Sequence, residues 1–162
     1  MRLYIVRHAE AVMLDEKATI KDADRPLTPK GLEDARKVAQ HLKYVGLEKP
    51  KIISSPLLRS RQTAEVFQRT WTQPLKALQF DDRLKPGVDW KPLLESLPAG
   101  RWENAWLIGH QPELGQIIGW LLGRKSAKIR LNKGSVACLD IKEKATKGTG
   151  RLRWLLDPEL LL

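Results

Sequence analysis

The chain reads as an α/β protein, a single three-layer domain with a mixed, mostly parallel sheet flanked by helices. Three observations predict this. Short apolar runs of strand length, "LYIV", "KIISS" and "NAWLIGH", alternate with longer stretches whose apolar residues recur at helical spacing, the order that builds parallel sheets from strand–helix units. The length of 162 residues suits one core rather than two. No internal repeat, linker or low-complexity tract interrupts the alternation, so residues 1–162 are expected to form one domain.

Leu3 to Val6 is the first buried strand. Residues 11–28 are polar and irregular and end in "DRPLTPKG", where Thr28 can cap a helix and Pro29 suits its first turn. In "GLEDARKVAQHLKYVG" the apolar face is Leu32, Ala35, Val38, Ala39 and Leu42, and Gly46 ends the helix. "KIISS" is a second strand between Pro50 and Pro56. "LLRSRQTAEVFQRTW" is a second helix, with Leu58, Ala64 (or Thr63), Val66 and Phe67 turned inward. "LKALQF" reads as a third strand and "DDRLKPGVDW" as an exposed loop. A short helix in "KPLLESL" stops at Pro98. "NAWLIGH" is a fourth buried strand, and "QPELGQIIGWLLG" a helix with Leu114, Ile117, Ile118, Leu121 and Leu122 apolar. "KIRLNKGSVACLDI" and "RLRWLLD" supply two or three closing strands around the "KEKATKGTG" turn.

Composition narrows the function. Hydrophobic residues are 42% and charged residues 30% of the chain, as in ordinary globular proteins. No apolar run nears the roughly 20 residues of a membrane span, and the opening run is too short for a secretory signal, so a cytoplasmic protein without a membrane partner is expected. One cysteine, Cys138, leaves no internal disulfide and no cysteine-built metal site. The net charge of +10 is spread along the chain. That distribution fits an anionic substrate or partner better than nucleic acid, which would more often be met by basic and aromatic residues gathered on one face.

Two of the three histidines, His8 and His110, fall at the carboxyl ends of strands, where open α/β sheets bind ligands. His41 lies mid-helix and is expected to face solvent. Arg7 adjoins His8, and Arg59 stands in the opening turn of a helix, where the backbone already favours an anion. Alone, each has an ordinary reading: a surface arginine, a core-edge histidine, a helix cap. Together, two planar guanidiniums suit a phosphoryl group, and a neutral imidazole among them can attack phosphorus.

The segments carrying these residues resemble the histidine phosphatase superfamily, which includes the phosphoglycerate mutases. "VRHAEA" resembles its Arg-His-Gly signature and "RPLTPKG" its R-x-L-T-x-x-G helix entry. "SSPLLRSRQTAE" matches its S-P-x-x-R-x-x-Q-T segment, and "LIGHQPEL" its G-H-x-P segment. The short chain and the Arg-His-Ala-x-Ala form are most similar to SixA-type phosphohistidine phosphatases. The resemblance implies a phosphoglycerate mutase-like fold, His8 as the nucleophile that becomes phosphorylated, and Arg7, Arg59 and His110 as the rest of the phosphate pocket. It further implies Arg25 as a substrate contact, and neither cofactor nor metal. The implied partner is a phosphorylated protein, such as a histidine-containing phosphotransfer domain, or a small phosphorylated substrate.

Two departures stand out. Ala9 replaces the usual glycine, so the loop after His8 must adopt an ordinary backbone conformation. The acid that relatives use to protonate an ester oxygen has only Asp81 and Asp82 as candidates, and both also read as turn residues. Ester cleavage needs that proton, whereas an imidazole leaving from phosphohistidine needs far less help. The alternatives are therefore a phosphatase of small phosphate esters and a non-catalytic phosphate-binding module.

Overall fold

A computed structural model describes residues 1–14, 19–98, 102–124 and 127–161; the part of the irregular 11–28 stretch at 15–18 lies outside them. Ten elements form three layers. The strands are β1 (Arg2–Arg7), β2 (Ile52–Ser54), β3 (Gln79–Phe80), β4 (Asn104–Gly109), β5 (Val136–Ile141) and β6 (Gly150–Leu156). They make one sheet of order β3-β2-β4-β1-β5-β6. β1, β2, β3 and β4 are parallel, while β5 pairs antiparallel with β1 and with β6.

β1 and β4 are the central strands, and their sequences show it: both are near-continuous apolar runs, as strands covered on both faces must be. Alternation then sorts their side chains. Tyr4, Val6, Trp106 and Ile108 face helices α1 (Pro29–Tyr44) and α2 (Leu58–Thr70), meeting Val38, Ala39, Leu42, Phe67 and Trp71. Leu3, Ile5, Ala105 and Leu107 face α3 (Lys91–Ser96) and α4 (Glu113–Leu121), meeting Leu93, Leu94, Leu114, Ile117 and Ile118.

Thr28 caps α1 as its sequence foretold, its hydroxyl accepting from the Gly31 N–H at 3.0 Å. Gly31 also lets the first turn of α1 press against the Glu10 backbone, a space that any Cβ would invade. Gly46, at φ +85°, follows the helix end.

Three expectations need correction. "LKALQF" gives a strand only at Gln79–Phe80, because Leu75–Ala77 coils into a 3-10 turn after Pro74. "DDRLKPGVDW" is not an exposed loop throughout: Asp82–Leu84 is a 3-10 turn, and Leu84 and Trp90 are buried in the α3/α4 core. In α2 it is Leu57, at the cap, that is buried, while Leu58 is half-buried. The tail forms two closing strands. His41 is exposed, as expected.

Candidate active site

The carboxyl ends of β1 and β4 bring His8 and His110 together. Their rings lie 5.1 Å apart, centroid to centroid, and both side chains are buried. Parallel pairing fixes this: Arg7 is level with Gly109, and the His8 N–H donates to the Gly109 carbonyl at 3.0 Å. The next residue is braced from α2, where the Ala9 N–H donates to Thr63 Oγ1 at 3.1 Å. Gln62 Oε1 accepts from the Leu27 N–H at 2.7 Å. The R-x-x-Q-T spacing therefore puts an arginine and two loop-holding side chains on neighbouring turns of one helix. Among the described residues the only non-glycine with positive φ is Thr72, so Ala9 keeps an ordinary backbone conformation.

Arg7 and Arg59 are both tethered to backbone carbonyls. One Arg7 terminal nitrogen donates to Leu131 O at 2.8 Å, and one of Arg59 to Asp22 O at 2.8 Å. Arg59, which alone would read as a surface arginine, is buried. Arg25 donates to the Asp22 carboxylate at 2.8 Å and to Val12 O at 3.1 Å. Asp22 thus bridges two arginines, with its other carboxylate oxygen 3.2 Å from Arg59.

The electrostatics follow from burial beside cations. Desolvation lowers the pKa of His8 to about 4, with the guanidiniums of Arg59, Arg7 and Arg25 pushing the same way. Desolvation likewise lowers His110 to about 3, helped by His8 and Arg59. Both imidazoles are neutral at neutral pH. His8 Nδ1 lies 2.7 Å from Ala9 O. A carbonyl can only accept, so the proton sits on Nδ1 and the lone pair on Nε2.

Arg7 Nε, Arg59 Nε and His110 Nδ1 are buried and find no hydrogen-bond partner among the described residues. An unmet buried donor costs roughly 1–3 kcal/mol. Three such nitrogens on the groups around one free imidazole nitrogen fit a ligand rich in acceptor oxygens.

The candidate acids are placed differently. Asp81 receives two hydrogen bonds from the Arg83 side chain, at 2.8 and 2.6 Å, and one from the Arg83 N–H. Those bonds hold its carboxyl below the usual range. Asp82 is exposed and pairs with Lys85 at 2.8 Å. Among the described residues no group of three or more His, Cys, Asp or Glu side chains could hold a metal ion. A cavity of about 590 Å³ lined by Met1, Arg2, Tyr4 and Asn104 lies at the opposite, amino ends of β1 and β4, away from this chemistry.

Residues 3–85, which carry β1, α1, β2 and α2 with Arg7, His8, Arg25 and Arg59, match the family model of the histidine phosphatase superfamily, branch 1. The chain belongs to this superfamily. An uncharacterized protein of Picosynechococcus is 33% identical over the whole chain and 94% of its own length. Among solved structures, the protein histidine phosphatase SixA complexed with tungstate superposes with TM-score 0.81 at 24% identity, over 100% of both chains. A putative alpha-ribazole-5'-P phosphatase from Escherichia coli gives TM-score 0.71 at 20% identity, over 98% of this chain and 97% of its own. The chain is accordingly a phosphatase working through a histidine nucleophile.

The sequence singled out Arg7, His8, Arg59, His110 and Arg25, and the structure gathers all five. It passed over Asp22, Ser55 and Ser60. The two serines stand inside the "SSPLLRS" segment, where the pattern alone does not set them apart from ordinary turn and helix residues. Asp22 precedes Arg25 by three residues, the spacing at which a turn lets two side chains meet.

Proposed function

We propose that the protein removes phosphate from phosphohistidine on a partner protein, with His8 as the residue that is transiently phosphorylated. His8 Nε2 attacks phosphorus, the P–N bond to the substrate imidazole breaks, and water later releases phosphate from His8. Arg7, Arg59 and His110 hold the equatorial oxygens as their charge shifts, and Arg25 contacts the substrate outside them. Positioning and charge stabilisation of this kind are most of what phosphoryl transfer requires.

The observation that favours phosphohistidine over an ester is the state of the candidate acid. Asp81 is committed to Arg83 by three hydrogen bonds and kept ionised, so it is a poor proton donor. Asp82 is engaged by Lys85 in solvent. An alkoxide cannot leave readily without a proton from the enzyme, whereas the phosphohistidine ring has a second basic nitrogen that takes a proton from solvent, so that it departs as neutral imidazole without an enzyme acid.

Among the described residues between Arg59 and His110, little is left to form a lid. Those residues run through the remainder of α2, two 3-10 turns, β3, α3 and β4, with Leu84, Trp90, Leu93, Leu94 and Leu97 all in the core. Such a site suits a side chain presented on a protein surface, and the +10 net charge would steer an acidic or phosphorylated partner towards it.

The test is phosphate release from a phosphohistidine-bearing protein and from p-nitrophenyl phosphate, side by side, with His8→Ala as control. Fast release from the first and feeble release from the second is expected. The reverse ranking would make this a phosphatase of small esters.

A further inference from the structure

His8 has its proton located by a carbonyl; His110 does not. The partners of His110 Nε2 are two hydroxyls, Ser55 Oγ at 2.9 Å and Ser60 Oγ at 3.4 Å. A hydroxyl can donate or accept, so the proton on His110 must be found by following every hydrogen in the cluster.

Both serines are fully buried, which leaves their O–H groups dependent on protein acceptors. Ser55 Oγ already accepts from the Leu57 N–H at 3.4 Å. Among the described residues, the one acceptor offered to the Ser55 hydroxyl hydrogen is His110 Nε2, and the same holds for Ser60. Were Nε2 protonated, it would donate to Ser55 and leave both hydroxyl hydrogens buried without an acceptor, a full desolvation loss for each. With a bare Nε2, its lone pair takes the short bond from Ser55 and a long one from Ser60. The single proton of the neutral ring then lies on Nδ1, the nitrogen that is buried and lacks a partner.

We propose that Ser55 and Ser60 are positioning residues that fix the tautomer of His110, keeping Nε2 an acceptor and so presenting Nδ1–H to a phosphoryl oxygen. Both site imidazoles are then the same tautomer put to opposite uses. His8 shows phosphorus its bare nitrogen, and His110 shows oxygen its N–H. In the other tautomer, His110 would turn a lone pair towards an anion and repel it. The serines therefore act before substrate arrives, by removing the wrong tautomer from the free enzyme.

The experiment is imidazole ¹⁵N NMR of the free protein, in which protonated and bare ring nitrogens have well-separated shifts. Wild type is expected to show His110 with a protonated Nδ1 and a bare Nε2. Ser55→Ala/Ser60→Ala is expected to populate the Nε2–H form. Its kcat on phosphoramidate should fall about tenfold with KM within about threefold, since the lost donor acts mainly on developing charge. Ser55→Thr, which keeps the hydroxyl, should restore both readings. Unchanged His8 shifts in the variants would show that the fold persists, and Ser60→Ala alone, losing only the longer bond, is the gentler substitution. Wild-type His110 protonated on Nε2, or a double variant retaining the Nδ1–H form, would overturn the proposal. The NMR readings need no substrate, so they stand whether or not phosphohistidine is the one used.

Discussion

Asp22→Asn should tighten the binding of inorganic phosphate. The Asp22 carboxylate bonds Arg25 at 2.8 Å and Arg59 at 3.2 Å, so it occupies guanidinium edges that an incoming anion would use. Burial raises its pKa, but Arg59 and Arg25 outweigh that and hold the group ionised at neutral pH. Unit charges at contact distance interact by about 1–4 kcal/mol between the dielectric of water and that of a protein surface. Asp22 is 57% exposed, which places each contact towards the low end. Neutralising it should therefore relieve about 1 kcal/mol of competition, or roughly fivefold in affinity. Backbone tethering survives the change, because Arg59 also bonds the Asp22 carbonyl. Titration calorimetry with phosphate at low salt would measure the gain, which should shrink at 0.5 M salt as screening weakens the original pair. Equal or weaker binding by the variant would refute the reasoning and make Asp22 an organiser of Arg59 rather than its competitor.

Other perturbations have equally definite outcomes. His8→Ala should lower turnover by at least about 10³-fold, since no neighbouring group replaces the nucleophile; trapping of a phosphorylated protein by mass spectrometry, present in wild type and absent in the variant, checks it. Asp81→Asn keeps an oxygen that can cap the Asp82–Leu84 turn and loses the charge paired with Arg83, so it should cost no more than about 1 kcal/mol of stability and change phosphohistidine turnover by less than about threefold. A severe loss of turnover would restore Asp81 as an acid. Gly31→Ala drives a Cβ into the Glu10 backbone and should lower Tm by several degrees, roughly 1–3 kcal/mol of overpacking, while weakening phosphate binding through the loop that follows His8.

Much of this site is legible in the sequence because strands place it. His8 and His110 each stand at the end of an apolar run of the kind that strands covered on both faces require, and the parallel pairing of β1 with β4 sets those two ends side by side. Arg59 is less legible: alone it reads as a surface arginine, and its burial involves Asp22, a contact distant in sequence. The same limit hid the fate of "LKALQF", where an apolar pattern of strand length met an edge position that pairs only two residues. Trp90 and Leu84 looked exposed because their neighbours are polar and turn-forming; in fact they cover the α3/α4 side of the core. Asp22 and the serines escaped notice because small polar residues carry no periodicity, and their meaning depends on which buried group they meet.

The two histidines make stability depend on pH, and the sign follows from their burial. In the unfolded chain each would take up a proton near pH 6.5; in the native protein His8 does so only at about 4 and His110 at about 3. Between those limits the unfolded state binds more protons, so stability falls as the pH is lowered from about 6.5 and levels off only below the native values. For His8 alone the shift is worth on the order of 3 kcal/mol at neutral pH. Denaturant unfolding followed from pH 7.5 to 4.5 should therefore show a steady loss. His110→Gln or His8→Gln should flatten the curve, because the group that resists protonation is gone. A wild-type curve flat across this range would mean that the imidazoles are not held neutral. The lone pair on His8 Nε2 would then be present in only part of the molecules at pH 6, and burial would not be the device that keeps the nucleophile ready.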